Sequence, residues 1–414
     1  MALTGCHGGQ NSSVVLLRVA TWGSGEDDSV YARKLDAIDL EFERENPNVK
    51  IQREIVPDQY PQAMVMAHVA GVSPDVMMLD ASSAAVFMNN GLLTDLAPLI
   101  AQDKEFRLAD YFPNVVDIAR RDNAVYAVPQ DFTPVVLFYN RRLFDAAHVP
   151  YPDGSWDFAT FRKTAEELTR PNDRIFGYAF NNWMPGWIVW LWNNGGDVLN
   201  PAGTQAEGTL NSDQNAQTFA YLRDLIEKAH VSPSPSATAA MGIDPFASGR
   251  AAMIITGHWS LIDYKNAPKD ANDEPKVDWH ELGVTNVPHN TPTANTVMYE
   301  SGYAIPSGCK HLDVAWRYVK YMTSQKVQMD YNSTGIAVDA RIDVAKARAS
   351  DPLERAFLPL IPAARAPYGS RVEGYDFLEN QGTSAMSSVL LNGADPAAAL
   401  KKAAERIDLE FAKR

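Results

Sequence analysis

The amino-acid sequence predicts an α/β protein built of two lobes. The chain has 414 residues, which exceeds the size at which a single hydrophobic core keeps growing, so two packed units are expected. In addition, short apolar runs rich in β-branched residues alternate with segments of helical periodicity. This alternation is typical of parallel strands joined by helical crossovers.

The first unit opens in the order strand, helix, strand, helix, strand. The run 14–20 is rich in β-branched residues and Leu, and it predicts a buried strand. A helix follows because Leu35, Ile38 and Phe42 recur at helical spacing, and it ends before Pro47. The next segments predict a strand, a helix and a short strand: 49–56, 60–70 and 75–80.

The second unit follows a strand-like stretch at 125–140. Ser155 is a candidate cap for a helix that carries Phe158, Phe161 and Leu168 on its inward face. The remaining predicted elements are strands at 175–180, 253–256 and 299–305 and helices at 211–229, 314–322 and 396–411.

Composition and charge exclude several classes of partner. The formal net charge of −14 argues against nucleic acid or anionic lipid as the main partner, because both need basic patches. No apolar run reaches the roughly 20 residues that a membrane-spanning helix needs. No second Cys or suitably spaced His accompanies Cys309, so neither a metal site nor a cofactor is expected.

The amino terminus contains a motif for lipid attachment. Leu3-Thr4-Gly5-Cys6 resembles a bacterial lipobox, which is cleaved before a cysteine that becomes lipidated, although four residues can also match by chance. The Gly-, Ser- and Asn-rich residues 7–13 suit a flexible tether. The charged and apolar regions of a signal peptide are missing, so we expect the sequence to begin within one. We expect Cys6 to anchor the protein in the periplasm or at the outer face of the cell membrane.

Several short motifs follow one another along the chain in a characteristic order. The most specific are Tyr126-Ala127-Val128-Pro129, then Leu137-Phe138-Tyr139-Asn140 and Leu143-Phe144, then Trp156-Asp157-Phe158. Others are Ala20-Thr21-Trp22, Pro74-Asp75-Val76, the run 246–253 and Gly302-Tyr303-Ala304-Ile305-Pro306. Over about 14–411 the chain resembles the family 1 extracellular solute-binding proteins of ABC importers, which include maltose- and trehalose-binding proteins.

The resemblance implies a two-lobed periplasmic-binding-protein fold of type II, in which a hinge joins two lobes that are each discontinuous in sequence. Each lobe is a sheet flanked by helices, and the ligand cleft lies between them. We expect the lipobox and tether at 1–13, the amino-terminal lobe at 14–131 plus 286–335, and the carboxy-terminal lobe at 132–285 plus 336–414. A carbohydrate ligand, the transmembrane subunits of an ABC permease as partners, and a monomeric state are also implied.

Candidate ligand contacts follow the predicted strands, because ligands of such sheets lie beyond the carboxyl ends of the strands. Trp22 comes directly after the first strand. Glu26 and Asp27 lie in the glycine-rich turn that follows, which could equally be an ordinary helix cap. Asp80 ends the third strand.

Gln130 and Asp131 lie at the predicted hinge. A carboxylate at this position can accept hydrogen bonds from two hydroxyl groups of a sugar, and such charge-assisted bonds are strong. Asp131 could also form an ion pair that stiffens the hinge.

Tryptophans supply candidates for stacking on a sugar ring. The flat C–H face of a pyranose packs against an aromatic ring, and Trp183 and Trp187 follow the predicted strand at 175–180. Trp190 and Trp192 lie on a helix-like run, so we expect at least one of them in the core.

The remaining candidates lie late in the chain. His258 and Trp259 occupy a turn in which the resembled family carries a ligand-packing aromatic residue. The others are Ser301, Gly302 and Tyr303 at a second crossing between lobes, and Arg371 and Tyr375 in a polar-aromatic loop. Arg371 is equally consistent with a surface charge.

The predicted function is a substrate-binding lipoprotein that captures a mono- or oligosaccharide by hinge closure and delivers it to a permease. A receptor for a glycerophosphodiester or polyol phosphate is the alternative, although the candidate loops hold more acid than base and so favour a neutral or cationic ligand. The number of carboxylates does not exclude a carbohydrate-active hydrolase. However, no nucleophile elbow, metal-binding His pair or Cys nucleophile motif is present, so we expect no catalysis.

Overall fold

A computed structural model describes residues 14–23, 30–242, 244–267, 269 and 276–413, apart from the side chains of residues 30 and 31. Cys6, Glu26 and Asp27 lie outside the described residues. Their predicted roles therefore stay predictions.

The chain from 14 to 140 supplies most strands of one sheet and the first strand of another. Its elements are β1 (Val15–Trp22), α1 (Val30–Glu45), β2 (Val49–Val56), α2 (Tyr60–Val69), β3 (Val76–Asp80), α3 (Ala84–Asn89), α4 (Ala97–Gln102), α5 (Pro113–Val116), β4 (Arg120–Arg121), β5 (Ala124–Val125), β6 (Ala127–Pro134) and β7 (Val136–Asn140).

Most elements in the central part of the chain, 141–285, are helices. Its elements are α6 (Arg141–Ala147), α7 (Phe158–Leu168), α8 (Met184–Asn193), α9 (Asp213–Glu227), α10 (Pro235–Met241), β8 (Met253–Thr256), α11 (Leu261–Lys265) and β9 (Leu282–Thr285).

The last part of the chain returns to the first sheet and ends in two long helices. Its elements are β10 (Thr296–Ala304), α12 (Leu312–Met322), α13 (Gln325–Tyr331), β11 (Val338–Asp339), α14 (Ile342–Arg348), α15 (Pro352–Phe357), β12 (Ala364–Arg365), α16 (Tyr375–Asn392) and α17 (Pro396–Phe411).

The first sheet has the strand order β11-β6-β10-β3-β1-β2. In addition, β12 pairs with the amino-terminal end of β10, at Thr296 and Val297. β1 runs parallel to β2 and β3, as predicted from the alternation of strands and helices, whereas β10 is antiparallel to β3 and β6. The pairing of β6 with β10 is irregular, because Ser301 pairs with Asp131 but Gly302 pairs with Pro129. Gln130 is therefore the extra residue of a β-bulge.

The second sheet is a smaller antiparallel one with the order β8-β7-β9. One residue, Val135, separates β6 of the first sheet from β7 of the second. Its backbone N–H donates a 2.9 Å hydrogen bond to the carbonyl oxygen of Val297 in β10. The two strands that carry the chain between the sheets are thus tied together at the crossing. The predicted lobe boundaries at 131, 285 and 335 stay a prediction.

Two local predictions need correction. The segment 175–180 makes only single bridges, from Ile175 to Arg170, from Phe176 to Ala251 and from Ala179 to Ile254, rather than a continuous strand. The helix α7 is capped by Asp157, whose side chain accepts a 2.7 Å hydrogen bond from the N–H of Thr160, and not by Ser155. Within the described residues, every helix is too short or too polar to cross a membrane.

Candidate functional site

A cavity of about 570 Å³ lies beside the first sheet. Its walls come from the carboxyl ends of β1 and β3, from β6 and β10, and from the amino-terminal ends of α8 and α16. The lining residues are Trp22, Gly23, Met78, Asp80, Ser82, Asp131, Thr133, Trp183, Pro185, Trp259, Tyr299, Ser301, Tyr331, Ile336, Ala337, Tyr375 and Glu379. Because the first sheet contributes one side of the cavity and the helices α8 and α16 contribute another, the cavity is a cleft between packed units.

A row of polar side chains crosses the first sheet, and Asp80, Ser301 and Asp131 of this row line the cleft. Asp80 in β3 pairs with Ser301 in β10, and Ser301 pairs with Asp131 in β6. Asp131 in turn pairs with Asp339 in β11. Paired residues of neighbouring strands point to the same face of a sheet, so four successive strands place three carboxyl groups in one line.

Burial changes the acidity of the carboxyl groups in the cleft. It raises the pKa of Asp80 to about 6, although the backbone N–H of Ser82 donates a 2.7 Å hydrogen bond to Oδ1 and opposes the shift. Burial likewise raises the pKa of Asp131 to about 7, against the hydrogen bond from Ser301. The pKa of Glu379 is raised to about 7 by burial and then by the nearby charge of Asp376.

Glu300 lies on the opposite face of β10 from Ser301, beside the row of carboxyl groups. It is 1% exposed, and neither of its carboxyl oxygens accepts a hydrogen bond from the described residues. Burial raises its pKa well above the ordinary value, and the charges of Asp131 and Asp80 raise it further. Its surroundings therefore favour the protonated, neutral form of the Glu300 carboxyl group.

Aromatic rings form another wall of the cleft. Trp259 lies edge-to-face against Trp183, with ring centroids 5.5 Å apart, and against Tyr299 at 5.9 Å. The Tyr299 hydroxyl is 3.0 Å from that of Tyr375. Gly257 permits this arrangement, because a Cβ atom there would lie 2.4 Å from the ring of Trp259.

The cleft continues past Asp80 into a second, more polar cavity of about 510 Å³. This cavity shares Trp22, Asp80, Ser82 and Glu379 with the first. Gln62 of α2 and Asp376 of α16 face each other across it, and the Gln62 amide donates a 3.1 Å hydrogen bond to the Asp376 carboxylate. The two packed units thus contact each other directly at the rim.

The structure brings seven of the predicted site residues to the cavity: Trp22, Asp80, Asp131, Trp183, Trp259, Ser301 and Tyr375. Four other predicted residues do not line it. Gln130 is fully buried in the bulge, Gly302 and Tyr303 lie within the first sheet, and Arg371 is placed over the ring of Tyr368.

Trp187 and His258 also need correction, because both belong to the core. Trp187 is fully buried, packs against Phe219, and donates a 3.3 Å hydrogen bond to Thr383 Oγ1. His258 is fully buried too, and its Nε2 lies 3.0 Å from a carboxyl oxygen of Glu354. Neither side chain is available to a ligand in the cleft.

Several lining residues were not predicted from the sequence, although for some of them the spacing along a strand or helix indicated the position. Tyr299 lies two positions before Ser301 in β10, and Thr133 lies two positions after Asp131 in β6, so strand alternation places each pair on one face. Glu379 lies one helical turn after Tyr375. Tyr331 is the last residue of α13, and no pattern in the sequence around it indicated a ligand contact.

The fold and the cleft together define a two-lobed solute-binding protein. The model of the family described as bacterial extracellular solute-binding protein matches residues 23–329, which is well over half of the chain. The chain therefore belongs to this family, whose members are the family 1 solute receptors of ABC importers.

Known proteins similar to this chain include binding proteins for several kinds of ligand. A galactooligosaccharide-binding protein of Bacillus subtilis is 22% identical over 351 residues, which cover 81% of this chain and 76% of the relative. An ABC substrate-binding protein of Listeria monocytogenes in complex with cycloalternan superposes with a TM-score of 0.81 at 21% identity, over 96% of this chain and 99% of that one. UgpB of Mycobacterium tuberculosis in complex with glycerophosphocholine gives a TM-score of 0.78 at 19% identity, over 95% and 98%. At these identities the structures establish the two-lobed fold.

Proposed function

We propose that this protein captures a carbohydrate outside the cytoplasmic membrane and delivers it to the permease of an ABC importer. The observation that carries the proposal is the composition of the cleft wall. Aromatic rings such as Trp183 and Trp259 offer flat apolar faces, while Asp80, Ser301 and Asp131 offer a line of hydrogen-bonding groups. A sugar ring has the same two kinds of surface, an apolar C–H face and a polar edge.

Hinge closure is the proposed mechanism of capture. Ligand contacts with both lobes favour the closed state by no more than the difference in affinity for the closed and open states. The Val135–Val297 hydrogen bond holds the crossing strands β6 and β10 together. The hinge would therefore bend at the ends of these two strands and not between them. The Gln62–Asp376 contact at the rim would then form as the lobes meet.

A receptor for a glycerophosphodiester is the second candidate, because the similar UgpB was solved with glycerophosphocholine. Phosphate groups are bound by Arg, Lys or helix amino termini. Among the described residues, neither cavity is lined by Lys, Arg or His. This lining favours the carbohydrate over the phosphodiester.

Membership of the family supports a location outside the cytoplasmic membrane and a permease partner, and the motif Leu3-Thr4-Gly5-Cys6 supports the lipid anchor. We place the protein outside the cytoplasmic membrane as a monomer, anchored through a lipid on Cys6 and docked on a permease through both lobes. The anchor can be tested in a bacterial host that expresses the protein behind a signal peptide. Metabolic labelling with a fatty-acid analogue would then show whether the protein becomes acylated. Label that persists in Cys6→Ala would contradict it.

Thermal unfolding with a panel of ligands tests the function itself. The panel holds mono- and oligosaccharides, polyols and glycerophosphodiesters. A ligand at about one hundred times its Kd stabilises the folded state by about 2.7 kcal/mol, which is easily measured as a rise in Tm. We expect at least one sugar to raise Tm. A rise with glycerophosphocholine alone would favour the second candidate and contradict the first.

A further inference from the structure

Several buried or half-buried carboxylates outside the cleft are paired with cations. Asp39 lies 2.6 Å from Arg53, and Glu354 lies 2.8 Å from Arg348. Asp103, under α12, lies 2.5 Å from Lys320. This pairing is expected, because an unpaired buried charge is costly.

The row of carboxyl groups across the first sheet follows this rule at one end only. Asp339 lies 3.2 Å from the guanidinium of Arg348, and Asn332 donates a 2.8 Å hydrogen bond to it. Asp131 and Asp80, the next carboxyl groups along the row, have no Lys, Arg or His partner in the described part of the chain. Glu379, which lines both cavities with Asp80, has none either.

The remaining lining of the cleft also suits a positive charge. Trp183, Trp259 and Tyr299 present aromatic rings, whose faces attract cations. The described residues include no group of three His, Cys, Asp or Glu side chains arranged to hold a metal ion, so an organic cation fits better.

We propose that the ligand supplies the missing charge: it is a polyhydroxylated amine, such as an amino sugar, whose ammonium group binds beside Asp80, Asp131 and Glu379. This inference rests on the proposed function and narrows its ligand class. The C–H faces of the ligand pack on the same aromatic rings as those of a neutral sugar, and its hydroxyl groups use the same hydrogen-bonding groups. The ammonium group adds charge-assisted hydrogen bonds that a hydroxyl group cannot make.

Binding of an amine should release protons. With pKa values raised to about 6 for Asp80 and about 7 for Asp131 and Glu379, the empty cleft holds part of its carboxyl groups protonated near neutral pH. The nearby charge of Asp376 adds to the negative field, whereas burial raises the pKa of the other close carboxyl group, that of Glu300, well above its ordinary value. An ammonium group lowers these pKa values and drives protons off. A neutral sugar lacks this effect.

Titration calorimetry with matched pairs of sugars tests the inference. The pairs are glucosamine and glucose, galactosamine and galactose, and the β-1,4-linked glucosamine trimer and cellotriose, which differ only by amine against hydroxyl. We expect at least one amine to bind at least about tenfold more tightly than its partner, the gain typical of a charged hydrogen bond. Its heat should also depend on the ionisation enthalpy of the buffer.

The outcomes separate this inference from the proposed function. If neutral sugars bind as tightly as the amines of every pair, the carbohydrate receptor stands and the cationic ligand is wrong. If no sugar of the pairs or of the thermal panel binds, both proposals fall.

Two variants locate the charge. Glu379→Gln and Asp80→Asn keep the shape of the side chains but remove a charge, so each should reduce the preference for the amine at least about threefold. Glu405→Gln removes the same charge from the distant helix α17 and should leave the preference unchanged. An equal loss in Glu405→Gln would show that net charge, and not the cleft, attracts the amine.

Discussion

Gln62 donates a 3.1 Å hydrogen bond to the carboxylate of Asp376 and so joins α2 to α16 across the mouth of the cleft. The two residues lie 314 positions apart in sequence, and both side chains are exposed. A contact of this kind adds little to the stability of the fold. In the proposed hinge closure it would nevertheless lengthen the lifetime of the closed state, because it joins elements on opposite sides of the cleft.

Gln62→Ala should therefore speed ligand release. Exposed hydrogen bonds to a charged group contribute on the order of 0.5–1 kcal/mol, so we expect dissociation to be about two- to fivefold faster with little change in association. Surface plasmon resonance on the immobilised protein measures both rates. Gln102→Ala on the exposed end of α4 is the control. Unchanged dissociation of the Gln62 variant would argue against a latch.

Trp259→Ala should weaken ligand binding at least about tenfold while the fold is retained. The ring of Trp259 lies between Trp183 and Tyr299 and is partly exposed in the cleft, so its loss removes stacking area. Titration calorimetry checks the affinity and circular dichroism checks the fold. Trp279→Ala, outside the cavity lining, should bind normally. A wild-type affinity in the Trp259 variant would remove this ring from the site.

Trp187→Ala should have the opposite profile. Trp187 is fully buried beside Phe219, and truncation of a large buried aromatic costs about 3–5 kcal/mol of unfolding free energy. Urea denaturation measures the loss, which Trp187→Phe should largely restore. Full stability with lost affinity would return Trp187 to the binding site.

The empty protein should become less stable as the pH rises from about 5 to about 8. Burial raises the pKa of Asp131 and of Glu379 to about 7, whereas in the unfolded chain these groups titrate near about 4. Between those values the folded state holds more protons than the unfolded state, so unfolding free energy falls with rising pH. Thermal unfolding of Asp131→Asn should show a flatter dependence, and Glu405→Gln should not. A slope of the opposite sign would contradict the raised pKa values.

Glu354 acts in a different pH window. Burial opposes its ionisation, but the charge and hydrogen bond of His258, followed by Arg348, lower its pKa to about 2. A lowered pKa stabilises the folded state above the unfolded value, near about 4, and this stabilisation is lost as the pH falls toward 2. It therefore does not mask the change between pH 5 and 8.

Much of the fold was predictable because its signals are local. Apolar runs and helical spacing identified β1, α1, β2, α2 and β3, and strand ends then identified Trp22 and Asp80. The family resemblance supplied what local patterns could not, namely lobes that are discontinuous in sequence. The position of β10 between β3 and β6 was not predicted, because it depends on pairing between distant segments.

The errors arose where distant segments decide which side of a residue is covered. Trp183 and Trp187 are one helical turn apart, yet only Trp187 is covered, by residues of α9 and α16. His258 was predicted as a ligand contact, but its partner in the structure is Glu354, which lies 96 positions away in sequence. Burial of this kind depends on tertiary packing and cannot be derived from the spacing of residues along the chain.

The edge-to-face pair of Trp183 and Trp259 gives the protein a built-in optical reporter. At 5.5 Å and an interplanar angle of 78°, the two indoles are close enough for their excited states to couple. Because both rings line the cleft, an arriving ligand changes their surroundings directly. Occupancy of the cleft should therefore be readable from ultraviolet circular dichroism and intrinsic emission, without a label attached to either the protein or the sugar.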